Sequence, residues 1–191
     1  MKILLTGDSI IARHEGLEEP RLNFELKKRL PNLEINNTAV SGINSGAFFA
    51  RLSELVLTQP QCDNLVILLG TNDLATHKQV PLRQFKKNME LISSAVICEY
   101  WPEHVILISP PAVDENKQHV RNNDLVKKYS RAIQEVANEY KFHYLDLCQA
   151  MLEKGDLTEL CHGLKNDGLH FGEKGYELMA DLLGQELQKI E

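Results

Sequence analysis

Apolar residues along the chain fall into two kinds of pattern. Ile3-Leu4-Leu5, Leu65-Val66-Ile67-Leu68-Leu69 and Val105-Ile106-Leu107-Ile108 are continuous runs with no polar alternation. Such runs suit strands covered on both faces, as in a parallel sheet. Leu33-Glu34-Ile35-Asn36-Asn37 alternates and predicts a short strand near a sheet edge, and Phe142-His143-Tyr144-Leu145-Asp146 predicts a last, shorter one. Between these runs the apolar residues recur at spacings of three and four. Leu22, Leu26 and Leu30 mark a helix from Pro20 that Pro31 stops. Phe48, Leu52 and Leu55 mark one from Ala47 to Leu57. Pro81 at N1 opens a long helix with the stripe Leu82, Phe85, Met89, Ile92 and Val96. Leu125, Tyr129, Ile133 and Val136 face inward from Asp124 to Glu139, and Tyr176, Met179, Leu183 and Leu187 from the closing helix. Ile10 to Glu19 reads as a polar loop, Thr38 to Gly46 as a loop of small residues, and about Glu153 to Asn166 as a polar segment.

Five strands alternating with helices predict a three-layer α/β/α sandwich, because right-handed crossovers cover both faces of a parallel sheet. The expected strand order is 2-1-3-4-5, the flavodoxin-like arrangement, in one domain spanning residues 1–191. That order sets the carboxyl ends of the first and third strands side by side, at the edge where ligands bind in open α/β sheets.

Charge and composition narrow the partners. Lys+Arg 21 against Asp+Glu 27 leaves a net charge of −6, which argues against a nucleic-acid partner. Met1-Lys2 leads directly into the first strand, so no signal peptide is expected, and no apolar stretch reaches membrane-spanning length. Cys62, Cys98, Cys148 and Cys161 lie far apart with no Cys-x-x-Cys, and read as reduced thiols of a cytoplasmic protein. Their spacing and that of the histidines fit no zinc site, so no metal is expected.

Four short blocks follow the strand ends or precede the last helix. They are Gly7-Asp8-Ser9-Ile10, Gly42 in Val40-Ser41-Gly42, Gly70-Thr71-Asn72-Asp73, and Asp167-Gly168-Leu169-His170. A serine is a weak nucleophile until a base takes its proton. His170 can be that base for Ser9, and Asp167, three residues earlier, can hold the imidazole in the right tautomer. The backbone N–H of Ser9, that of Gly42 and the Asn72 amide can make an oxyanion hole. No Gly-x-Ser-x-Gly elbow is present, which excludes the standard α/β-hydrolase motif.

These blocks resemble the GDSL, or SGNH, hydrolase family, whose second name lists the serine, glycine, asparagine and histidine seen here as Ser9, Gly42, Asn72 and His170. The resemblance runs from residue 5 to the final helix, with Ile10 where leucine is commoner. It implies esterase, thioesterase or lysophospholipase activity, deacetylation of sugars in some branches, and no cofactor. The compact form is similar to the isoamyl-acetate-hydrolysing esterase branch.

Other residues of the same types have blander readings. Asp8 is expected to anchor its loop and Asp73 to brace the turn after Asn72. His162 lies in a polar loop without an aspartate three residues before it and reads as surface or pocket rim, and His143 falls within a strand and reads as a hydrogen-bonded core histidine. A flavodoxin-like binding module would need a Ser/Thr/Gly-rich phosphate loop after the first strand, and Ile10-Ile11-Ala12-Arg13 is not one. The leading expectation is a serine hydrolase of small, short-chain esters acting through an acyl-Ser9 intermediate, because the segments after the strand ends are mostly polar. A carbohydrate O-acetylesterase would use the same site. Sequence gives no reading of oligomeric state.

Overall fold

The computed structural model of the protein describes residues 1–190. The strands are β1 (Lys2–Gly7), β2 (Glu34–Asn37), β3 (Asn64–Leu68), β4 (Val105–Ile108) and β5 (His143–Leu145). They form one parallel sheet in the order β2-β1-β3-β4-β5. The three continuous apolar runs occupy its centre and are sealed from solvent. The alternating strand β2 and the short β5 lie at the edges, where polar side chains such as Asn36, Asn37 and His143 reach the surface.

The α-helices are α1 (Ser9–Ala12), α2 (Arg21–Arg29), α3 (Ser45–Ala50), α4 (Leu82–Val96), α5 (Asn123–Tyr140), α6 (Leu147–Lys154), α7 (Leu157–Leu160) and α8 (Glu173–Lys189). α2 packs on α8, and α4 packs on α3 and α5. Right-handed crossovers put these two groups on opposite faces of the sheet.

The register brings Gly7 level with Leu68. A Cβ on Gly7 would fall 2.1 Å from the Leu68 carbonyl oxygen, and φ there is +142°. Only glycine lets the end of β1 lie so close to β3. This contact places Ser9 beside the loop that leaves β3.

Several expected elements differ in detail. Ile10 to Glu19 is not wholly a polar loop. Its first residues form α1, because the Asp8 side chain caps the turn by accepting the Ile10 N–H, and Ile10 and Ile11 are completely buried beneath it. The helix expected over Ala47 to Leu57 starts earlier, at Ser45, where Asn44 caps it, and passes at Ser53–Leu57 into a π-helical turn. Thr58 closes that turn by donating its N–H and its hydroxyl to the Ser53 carbonyl. Pro81 is the residue before α4 rather than its first, which leaves Leu82 on the exposed opening turn. In α5 the buried stripe begins at Val126, with Leu125 half-buried beside it. The segment from Leu147 onward contains α6 and α7. Asp146 caps the first by accepting the Gln149 N–H, and Asp156 caps the second by accepting that of Glu159. Both are Asp-x-x-Gln/Glu patterns, the sequence form of a capping box.

Candidate active site

Ser9 opens α1, so its own N–H has no carbonyl one turn earlier to bond. The turn is held from beneath by α8, where the buried Tyr176 hydroxyl donates to the Ile10 carbonyl at 3.0 Å. A net hydrogen bond of this kind is worth about 1 kcal/mol. It also explains why the closing helix carries a tyrosine in its apolar stripe.

His170 lies in the loop between α7 and α8. Its Nε2 is 3.1 Å from Ser9 Oγ, and its Nδ1 is 2.7 Å from Asp167 Oδ2. A carboxylate only accepts, so Nδ1 carries the proton and Nε2 is left as an acceptor facing the serine. The other Asp167 oxygen accepts the N–H groups of Leu169 at 3.1 Å and His170 at 3.0 Å. Those bonds fix the carboxylate against the histidine's own backbone. Burial tends to raise the Asp167 carboxyl, but the N–H and imidazole of His170 outweigh it and hold the group below its usual range. His170 is held below its usual 6.5, first by burial and then by the positive charges of Arg13 and Lys165, against the pull of Asp167. Ser9, Asn72 and His170 are 8%, 6% and 7% exposed, so all three lie just beneath the surface.

The Gly42 and Asn72 blocks are stitched to the serine block. Val40 donates its N–H to the Gly7 carbonyl at 2.8 Å, and Ile43 closes a turn onto the Val40 carbonyl at 3.3 Å. Gly42 is the third residue of that turn with φ +83°, the position where a type II turn requires glycine. Beyond its two chain neighbours, nothing lies within 4 Å of where its Cβ would be, so open space adjoins it. Asn72 donates one amide hydrogen to the Ile43 carbonyl at 2.9 Å. A primary amide has two, which leaves the second free of that bond.

The neighbouring carboxylates have separate surroundings. Asp73 is sealed from solvent and accepts the Ser45 N–H at 2.9 and 3.1 Å and the Ser45 hydroxyl at 2.5 Å, pinning α3 to the β3 loop. Burial pushes its carboxyl up, against those bonds. Asp8 is also sealed. Its Oδ1 holds the Ile10 N–H at 2.9 Å, while Oδ2 makes no hydrogen bond to any described residue. Burial pushes Asp8 up to about 6, against the Thr71 hydroxyl nearby, the Ile10 N–H and the charge of Arg121. His162 is exposed and its imidazole bonds no described residue. His143 is half-exposed rather than core, and its Nδ1 lies 2.9 Å from Glu186 Oε1. The four cysteines are unpaired, and all but Cys98 are buried.

Arg121 and Gln118 also adjoin the site. Arg121 Nε donates to the Thr71 carbonyl at 2.8 Å, and Gln118 Nε2 donates to the Asp167 carbonyl at 2.9 Å. In the sequence they are only two polar residues in an irregular stretch, with no motif to mark them.

The arrangement can pass a proton from a serine hydroxyl to an imidazole backed by a carboxylate, with amide donors beside the serine. Residues 5–178 match the model of the GDSL-like Lipase/Acylhydrolase family. The isoamyl acetate-hydrolyzing esterase of Saccharomyces cerevisiae is 28% identical over 203 residues, covering 95% of this chain and 84% of that protein. Among solved structures, a lipase/acylhydrolase from Enterococcus faecalis superposes with a TM-score of 0.85 at 28% identity, covering 98% of this chain and 95% of that one. An acetylxylan esterase from Geobacillus stearothermophilus superposes with a TM-score of 0.78 over 97% of this chain and 93% of that one. At 20% identity, that second likeness speaks for the fold alone. By its sequence, its sheet order and its structural neighbours, the chain belongs to the GDSL-like lipase/acylhydrolase family.

Proposed function

We propose that this protein hydrolyses small, short-chain carboxylic esters through an acyl-Ser9 intermediate. The observation that carries the reading is the continuous relay from Ser9 Oγ to His170 Nε2 at 3.1 Å and from His170 Nδ1 to Asp167 Oδ2 at 2.7 Å. Ser9 Oγ attacks the ester carbonyl carbon as its proton passes to Nε2. The carbonyl oxygen becomes an oxyanion that the Ser9 N–H, the Gly42 N–H and the free Asn72 amide hydrogen stabilise. Collapse of this intermediate breaks the bond to the alcohol oxygen, and the imidazolium returns its proton to the leaving alcohol. A water molecule then gives its proton to His170 and attacks the acyl-serine. A second tetrahedral intermediate collapses to the free acid as the bond to Ser9 Oγ breaks and the imidazolium returns its proton to that oxygen. Asp167 keeps the imidazole oriented and stabilises its charged form.

The short acyl chain rests on which apolar side chains remain available around the site. Ile10, Ile11, Leu74, Ala75 and Leu160 come from the segments after the strand ends, yet all are spent in the core. Leu17 and Leu157 are half-buried, and Leu164, at 74% exposed, is the main apolar side chain these segments present to solvent. Each methylene buried is worth about 0.8 kcal/mol, so a surface with one free leucine gains little from a long chain. A matched series of nitrophenyl esters from acetate to palmitate tests this. We expect kcat/KM to peak between acetate and butyrate. An optimum at octanoate or longer overturns the short-chain reading and favours a thioesterase or lysophospholipase. The same small acyl group admits a sugar acetate, the substrate class in the name of the acetylxylan esterase neighbour. Acetylated xylooligosaccharide turned over faster than nitrophenyl acetate would favour that alternative. Four unpaired thiols, three of them buried, support a reducing compartment such as the cytoplasm.

A further inference from the structure

We infer that Arg121 is a positioning residue that locks the oxyanion-side turn at Thr71-Asn72 and the triad turn at Asp167 into one fixed relation. The inference rests on the proposed roles of Asn72 and Asp167. The irregular segment between β4 and α5 crosses both turns. Asp114 donates its N–H to the Gly168 carbonyl at 2.8 Å, Gln118 Nε2 donates to the Asp167 carbonyl at 2.9 Å, and Thr76 donates its N–H to the Val120 carbonyl at 2.9 Å. Arg121 joins the two sides through one planar group. Its Nε donates at 2.8 Å to the carbonyl of Thr71, the peptide that leads directly into Asn72. Its Nη1 reaches Gln118 Oε1 at 3.3 Å, and that amide in turn holds Asp167.

The electrostatics agree with this placement. Burial lowers the Arg121 guanidinium, and the charges of Asp8 and Asp167 oppose that effect. It therefore lies in the field of the residue beside the nucleophile and of the triad acid together. A guanidinium presents donors on separate nitrogens at fixed angles, whereas a lysine's three donors share one nitrogen on a flexible stem and do not hold two acceptors in a fixed relation. The Thr71 carbonyl and the Gln118 amide lie in the two directions such a fork serves. Catalysis is sensitive to this kind of support, since a displacement of about 1 Å can cost about 100-fold.

The test uses the full chain, with active sites titrated by a fluorophosphonate so that turnover is expressed per reactive site. A role in stability alone lowers the titratable fraction or the melting temperature and leaves kcat per titrated site unchanged. We expect Arg121→Lys to lower kcat per titrated site about 10–100-fold with KM held within about twofold. Gln118→Met leaves the cation in place and cuts the link to Asp167, and should lower kcat about 3–10-fold. If Arg121→Lys yields no folded protein, Gln118→Met decides alone. On an Asn72→Ala background the Arg121→Lys loss should shrink several-fold, because the two residues act through one turn. Both single variants within about twofold of wild-type kcat per site, or a raised KM at unchanged kcat, would overturn the inference. So would full additivity with Asn72→Ala. A wild-type protein that neither labels nor turns over ester would instead contradict the proposed function.

Discussion

Asp8 adjoins the proposed nucleophile and is a carboxylate sealed from solvent. Replacing it with asparagine gives a test whose sign depends on pH. The asparagine oxygen can keep the Ile10 N–H bond at 2.9 Å, so the cap on α1 survives. What disappears is the cost of a buried charge whose Oδ2 has no partner among the described residues. In the unfolded chain Asp8 ionises near its usual 3.8; in the folded protein burial pushes it to about 6. Between these values the folded state holds a proton that the unfolded state has released, so stability falls as pH rises. Above pH 6 the full cost is present, and below pH 4 it vanishes. At about 1.4 kcal/mol per pH unit, the span from 3.8 to about 6 amounts to about 3 kcal/mol. For a chain of this length that is about 6–12 °C in melting temperature. Melts of wild type and Asp8→Asn at pH 4 and pH 7.5 should show the variant gaining by that amount at the higher pH. Its kcat should stay within about tenfold of wild type, because the cap is kept. A gap between the two proteins that is constant with pH would mean that folding leaves the Asp8 carboxyl unshifted, and a gap that turns against the variant as pH rises would mean that the folded protein holds Asp8 as a stabilised carboxylate; either outcome refutes the burial cost.

Three further outcomes follow from the site. Asp167→Asn should lose about 10⁴-fold in kcat through the wrong imidazole tautomer, the magnitude known from serine proteases; a loss no larger than that of Asp8→Asn would mean the two roles are exchanged. Asn72→Ala should lose about 10²–10³-fold in kcat with KM little changed, and an unchanged kcat would remove it from the oxyanion hole. His170→Ala should be near-inactive and His162→Ala near wild type. Because His170 is held below 6.5 and must be neutral to accept the Ser9 proton, wild-type kcat/KM should fall on acidification with a midpoint below 6.5. A midpoint above 7, or equal damage from both histidine variants, would contradict the assignment of the base.

The sheet and the four blocks were legible because each rests on a local signal. Continuous runs such as Leu65 to Leu69 have one stable use, a strand covered on both faces, and Gly7 marks the place where two strand ends must touch. The irregular regions were less legible because their order comes from single capping side chains. Asp8 turns Ile10 and Ile11 from loop residues into core, and Asp146 and Asp156 start helices in a stretch whose composition alone reads as polar. The caps of α6 and α7 had a readable spacing; the burial of Ile10 did not, since it depends on α8 lying beneath α1. Arg121 was invisible for the same reason. Its partners, Thr71 and Gln118, become meaningful only once the fold brings residues about 50 apart into contact. His143 is hydrogen-bonded as expected, to Glu186, but is not core, because β5 is an edge strand too short to bury it.

The central claim is that Ser9 is the acylated nucleophile, and a fluorophosphonate probe followed by peptide mass spectrometry tests it most directly. One probe adduct per chain, located on Ser9 and formed in step with loss of esterase activity, is the predicted result. Ser9→Ala should neither label nor hydrolyse ester while melting as the wild type does. An adduct on Ser41 or Ser45, or a Ser9→Ala protein that keeps its activity, would contradict the account.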